Sequence, residues 1–423
     1  MLRTIANAFS VADIRKKLAF TAAILLLYRL GAYIPSPGVD ANAIKEIQEN
    51  FGGAGILNFL NTFSGGSLSR LSLFALGIMP YITASIILQL MTVVVPSLER
   101  LQKEGEVGQQ KITQYTRYLT VGLAFGQSIG YVFLFRSFGN EAGVSVLGEL
   151  TFGSTMLIVV CLTAGCTLLM WMGELITQRG IGNGISLMIF ASIVSGLVPG
   201  LSKWWTNPDQ VFVVMMPFVA LAVIVAIVFV QEGQRRIPVQ YAKRVVGRKM
   251  TSGGSTYLPL RVNMAGVIPV IFAASIMAFP PTIGQLLNTP AALDFAAFFS
   301  PNGWAYVVGE VFFIIVFTYF YTAVTFNPVD QADNLKKYGG FIPGVRPGRP
   351  TAEYLDRILS RLTFPGALYL GAVAALPTIL ISQTAANFYF GGTSILITVG
   401  VALDTVKQLE AQLMMRNYEG FLK

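Results

Sequence analysis

Residues 362–403 carry no charged side chain. One helix needs about 20 residues to cross a bilayer, so this run is long enough for two. Inside lipid every backbone N–H and C=O must be paired within the protein, which restricts such a run to helices. It is broken near 385–392, giving two spans and a turn. Eight further apolar segments precede it, near 18–33, 71–98, 118–135, 151–173, 184–198, 211–230, 262–283 and 311–329. Soluble domains carry about 25% charged residues; here the figure is 12%, with 54% hydrophobic residues and a mean hydropathy of +0.62. The reading is an all-α polytopic membrane protein of ten spans.

Ten spans place both termini on one side. All but five of the 30 basic residues then fall on that side. The exceptions are Lys45, Arg70, Arg136 and Lys203 in the opposite loops, and Arg29 inside the first span. The positive-inside rule makes the termini cytoplasmic, so the net charge of +9 reports topology before it reports nucleic-acid affinity. Arg29 is expected to snorkel toward the far interface. Residues 1–17 are short, polar and basic, with no cleavage-type pattern.

The stretch 55–94 breaks the regular pattern. Residues 56–64 are apolar but far too short to span, and Gly65-Gly66 ends them. An uncharged run over 71–98 follows, expected as a full span. A half-length helix feeding a full one reads as a re-entrant segment. Irregular backbone at membrane depth survives only in protein or beside a cavity, so a cavity with a short element in it is expected.

Two basic loops are long, 231–261 and 327–361. In the first, RRIPVQYAKRVV (235–246) and the turn Ser252-Gly253-Gly254-Ser255 predict an extended hairpin. In the second, the tip GGFIPGVRPGRP (339–350) is stiffened by prolines and presents Arg346 and Arg349; Thr351 is expected to cap a short helix after Pro350. Residues 99–111 read as a charged loop. Five spans followed by five place two halves in opposite orientations, 1–200 and 201–423, the condition for an inverted repeat.

The chemistry is sparse. With no histidine, the usual general base and the commonest metal ligand are missing. Cys161 and Cys166 sit five apart in an apolar span and read as packing residues. There is no phosphate-binding loop, and Gly180-Ile181-Gly182-Asn183-Gly184 lies between spans rather than after a strand. The ionisable candidates at membrane depth, Arg29, Glu174 and Glu310, are too few for an ion relay. These absences favour a passive conduit over an enzyme or pump. Ile82 and Ile86 share a helix face, with Thr83 and Gln89 off that stripe, but spacing alone does not separate them from ordinary packing isoleucines.

Seven long motifs carry a resemblance: FSGGSLSRLSLFALGIMPYITASIILQL (63–90), KEGEVGQQKITQYTRY (103–118), RGIGNGIS (179–186), EGQRRIPVQYAKR (232–244), NMAGVIPVIFAASI (263–276), FNPVDQADNLKKYGGFIPGVRPG (326–348) and FYFGGTSILI (388–397). Essentially end to end, the chain resembles the SecY family, central subunits of the bacterial protein translocase. That resemblance implies ten helices in two inverted halves around an hourglass pore that passes unfolded secretory polypeptides and releases membrane segments sideways. The pore ring falls on Ile82, Ile86, Ile189, Ile271 and Ile397. A plug over 56–70 includes Leu57, Asn58, Phe59, Leu60, Asn61, Thr62, Phe63 and Ser64. A lateral gate between the second and seventh spans involves Thr83, Gln89, Gln127, Asn263 and Ser275; Pro80, Gly266 and Pro269 are expected to weaken its helices. Docking of the SecA ATPase or the ribosome falls on Arg235, Arg236, Lys243, Arg346 and Arg349. SecE-like and SecG-like subunits, signal sequences and lipid are the other implied partners. The implied location is the bacterial plasma membrane. No cofactor is expected, since ATP belongs to the motor. An ion-coupled transporter of inverted repeats is the competing reading; a scramblase or membrane-embedded enzyme lacks any catalytic pair.

Overall fold

The computed structural model describes residues 9, 11–40, 61, 64–142, 151–205, 210–241, 244–246, 249–251, 255–277, 280, 284, 289–299, 303–384 and 392–421. Among them the first half runs α1 (Ala12–Gly31), a 3-10 turn (Leu68–Arg70), α2 (Met79–Val94), α3 (Pro96–Lys103), α4 (Glu106–Ala142), α5 (Phe152–Arg179) and α6 (Gly184–Trp205). Then follow α7 (Gln210–Glu232), β1 (Gln234–Tyr241), β2 (Arg244–Val246), β3 (Lys249–Thr251), β4 (Ser255–Arg261) and α8 (Ile268–Met277). The chain continues with α9 (Pro290–Phe298), α10 (Trp304–Thr325), α11 (Pro328–Lys337), β5 (Gly340–Phe341), α12 (Arg349–Thr384) and α13 (Gly392–Phe421).

Each expected span contains one of these helices. By length and hydropathy, Glu106–Arg136, Phe152–Arg179, Val213–Glu232, Trp304–Lys337 and Arg349–Leu376 suffice to cross a membrane, and α2 with α3 is a sixth candidate. Gly184–Gly196 and Ile268–Met277 are apolar but shorter. In α7, the segment Val213–Glu232 combines a mean hydropathy of 3.1 with 11% burial. Phe218, Leu221, Val225 and Phe229 point outward there, an exterior suited to hydrocarbon rather than water.

Several boundaries differ from expectation. The run 71–98 is not one helix. Residues 71–78 form irregular turns, α2 starts at Met79, and a 99° bend separates it from α3. The bend falls at Val95, whose extended backbone precedes Pro96; a residue before proline is disfavoured in the helical region. The expected loop over 99–111 is helical apart from the break at Gly105, where φ is +74°. The span expected over 311–329 is shifted, since α10 ends at Thr325 and Pro328 opens α11 behind an Asn327 cap that accepts from Val329 N–H. Pro80 and Pro269 lie in the first turns of α2 and α8, and Gly266 precedes α8 with φ +64°. These residues start the helices instead of weakening their interiors, because a first-turn proline gives up an N–H that has no helical partner. Thr351 does not act as the expected cap: α12 already includes Arg349, and the Thr351 hydroxyl donates to the Arg346 carbonyl at 2.8 Å.

The first basic loop forms the expected hairpin, with β1 antiparallel to β4 from Gln234↔Arg261 to Gln240↔Ser255. The same strand also pairs with β5 through Gln240↔Phe341 and Tyr241↔Gly340, so both basic loops share one sheet in the order β4-β1-β5. Ile237 and Val239, two apart on β1, are buried with Leu260, Phe326, Ile342, Leu355 and Leu359. That cluster seats the sheet against the start of α12.

Candidate functional site

The five isoleucines come from four helices. Ile82 and Ile86 lie on α2, Ile189 on α6, Ile271 on α8 and Ile397 on α13, and all belong to one buried apolar cluster. None is more than 4% exposed. The helices meet in series: α6 against α13, α13 against α8, and α8 against α2. Close approach is built in by glycine. A Cβ at Gly400 of α13 would lie 2.1 Å from Val267, just before α8. Branched aliphatic side chains from four helices are therefore buried together where these helices meet.

Along the α2–α8 seam, contact is mostly apolar. Thr83 Oγ1 donates to the Met79 carbonyl and Ser275 Oγ to the Ile271 carbonyl, each one turn back in its own helix. Ser275 Oγ also reaches Met79 Sδ across the seam at 3.9 Å. Asn263 Nδ2 donates to Gly266 O, while its Oδ1 and the Oε1 of Gln89 are buried without a hydrogen-bond partner. Gln127 is half-buried on α4. Arg117 on α4 grips Glu174 on α5 with both ends of its fork, at 2.8 and 2.7 Å, so these two helices are tied together.

Of the expected plug, Asn61 and Ser64 lie among the described residues; Leu57, Asn58, Phe59, Leu60, Thr62 and Phe63 lie outside them. Both described side chains build a tight turn. Asn61 Oδ1 accepts from Ser69 N–H, and Ser64 Oγ donates to Asn61 O and accepts from Leu68 N–H. Gly65 and Gly66 have φ of +65° and +84°, and Leu71 has φ 41° at the end of the 3-10 turn, a conformation disfavoured for a branched side chain. The backbone bonds Ser36 N–H to Leu71 O and Leu73 N–H to Ile34 O join this region to the end of α1. Arg29, read from sequence as snorkelling, donates from Nη1 to Gly65 O at 2.8 Å. Sequence reasoning missed that contact because its partner is a backbone carbonyl in a different segment.

At the basic end, Arg235 and Arg236 are exposed on β1, Arg346 on the tip before α12 and Arg349 at the first position of α12; Arg349 pairs with Glu353 one turn on. Lys243 lies outside the described residues.

Long apolar helices with outward-facing apolar side chains, packed around a buried aliphatic cluster, define a polytopic membrane protein. The family model for SecY matches residues 72–406, and the chain belongs to the SecY family. It is 50% identical to the protein translocase subunit SecY of Streptomyces coelicolor over the full length of both chains. Solved structures share the fold at lower identity. They include a protein-conducting channel (19% identical, TM-score 0.63, 93% of this chain and 91% of that one) and a SecY protein whose plug domain stabilises the closed state (21%, 0.62, with the same coverage). Sec61 from a canine ribosome–channel complex matches at 18% identity and a TM-score of 0.60, covering 93% of this chain and 91% of that one.

Proposed function

We propose that this chain is the protein-conducting subunit of a bacterial plasma-membrane translocase and not an enzyme. Unfolded secretory polypeptides cross through the isoleucine ring, and sufficiently apolar segments leave sideways between α2 and α8. The observation that carries this reading is the convergence of Ile82, Ile86, Ile189, Ile271 and Ile397 in one buried cluster. A narrow aliphatic ring gives an ion no replacement for its water, so it resists conduction by desolvation. Isoleucine has no directional bond to break and yields around a chain of any sequence. Partition through the seam favours leucine-rich segments, and each central charge opposes it by about 2.5–3.5 kcal/mol.

In this reading residues 1–200 and 201–423 act as two halves with cytoplasmic termini, and residues 56–70 plug the external funnel. Thr83, Gln89, Gln127, Asn263 and Ser275 line the gate. Arg235, Arg236, Lys243, Arg346 and Arg349 dock a SecA-type motor or the ribosome; ribosome-bound relatives in the same fold support the latter. SecE-like and SecG-like subunits complete the complex. Against an ion-coupled transporter, Arg29 is bonded to a backbone carbonyl and Glu174 to Arg117.

The test is a crosslink from Ile82→Cys, in a background with Cys161 and Cys166 replaced by alanine, to a cysteine in a stalled secretory chain. A crosslink that requires both a signal sequence and ATP with motor is expected. No crosslink from folded, motor-bound protein would move the path away from this ring.

A further inference from the structure

Two helices converge on the carbonyls of Ser64 and Gly65. Tyr28 Oη, on α1, lies 2.5 Å from Ser192 Oγ on α6 and 3.3 Å from Ser64 O. Ser192 Oγ donates to the Met188 carbonyl one turn back at 2.9 Å, so the phenol hydrogen is shared between Ser192 Oγ and, at the longer distance, Ser64 O. Arg29 Nη1 donates to Gly65 O at 2.8 Å, and Ser195 Oγ lies 3.4 Å from the same oxygen. The Arg29 guanidinium stands 5.4 Å from the Tyr33 ring centroid, and that of Arg70 4.1 Å from the same ring. Gly65 is the point of convergence: a Cβ there would meet Tyr28 Oη at 3.0 Å, Ser192 Cα at 3.1 Å and Arg29 Nη1 at 3.2 Å.

Ser192 sits three residues beyond Ile189, so both lie on one face of α6. Ile189 is a ring residue. Whatever displaces this face to widen the ring also pulls Ser192 from Tyr28.

We propose that Tyr28, Arg29 and Ser192 form a latch that fixes the Ser64–Gly65 turn and ties its release to the position of Ile189. The proposal rests on the channel reading and names positioning residues for it. The bonds go to main-chain oxygens, so the latch is indifferent to the side chains of the element it holds. Charge on Arg29 is costly at membrane depth, and the Gly65 carbonyl together with the Tyr33 ring stabilises it, the carbonyl only while the turn stays seated.

The experiment uses the complete translocase complex in planar bilayers, reading ion leak, together with export of a substrate whose signal sequence is impaired. Tyr28→Phe keeps the ring stacked on Phe74 and removes the hydroxyl; Ser192→Ala removes the partner. Each is expected to raise leak about fivefold, the factor for one lost hydrogen bond, and to let the impaired substrate through. The double variant should leak no more than the worse single variant, because both remove the same bond. Arg29→Gln should leak as well, with Arg29→Lys restoring most of the seal. Leak and stringency at wild-type level in Tyr28→Phe and Ser192→Ala, or leaks that multiply in the double variant, would overturn the latch. Those two variants decide the matter if Arg29→Gln fails to accumulate. A wild-type complex that exports no secretory chain overturns the channel reading and the latch with it, whereas export by wild type with unaltered leak in the variants overturns the latch alone.

Discussion

At the scale of single residues, the proposed ring would work through what isoleucine lacks. Ile397 is fully buried in the same apolar cluster as four other isoleucines, whose side chains present no donor or acceptor. Ile397→Asn places an amide where nothing apolar can pair with it, at a cost of about 2 kcal/mol to the sealed state. That corresponds to a roughly thirtyfold shift toward open forms, read as ion leak and as export of substrates with weak signals. Unchanged leak would remove Ile397 from the seal. The identity of these residues was not legible in their spacing, since Ile82 and Ile86 repeat as any packing pair does. The motif resemblance singled them out, and burial in one cluster unites them. Arg29 was visible as an oddity, a lone charge in an apolar span, but its partner Gly65 stands in another segment that periodicity does not connect to it.

At the scale of elements, each apolar run read from the sequence coincides with a helix among the described residues, because uncharged length is a one-dimensional property. They did not locate the bend after α2 or the start of α8 at Ile268, which depend on proline at helix starts and on left-handed glycine. The seam between those two helices offers a direct test. Met79 and Ser275 touch across it. With Cys161 and Cys166 replaced, a Met79→Cys/Ser275→Cys pair is expected to join α2 to α8 on oxidation. Export and membrane insertion should then stop and recover on reduction. Continued lateral release with the bond in place would shift the exit to another seam. The polar side chains there mostly bond within their own helix or turn, so the proposed parting of the seam would break little hydrogen bonding.

At the scale of the whole molecule, the basic end gathers parts that the sequence shows as two unrelated loops. Arg346→Glu is expected to reduce motor-driven export at least tenfold while leaving thermal unfolding unchanged. Arg346 is exposed, and such surface changes usually move stability by less than about 0.5 kcal/mol. Normal export would remove the tip from motor docking. The hairpin was legible from its alternation and turn, but its pairing with β5 was not, because Gly340-Phe341 is too short to read as a strand.

That pairing sets an order of events during synthesis. The edge of β1 beside β5 stays open until Phe341 has been made, after α8 and α10. Translation proceeds at roughly 5–20 residues per second, so a nascent chain passes through seconds in which its first loop exists without its full support. A partner that needs the finished sheet would then ignore immature copies, and the proposed docking end would double as a record that most of the chain has been built.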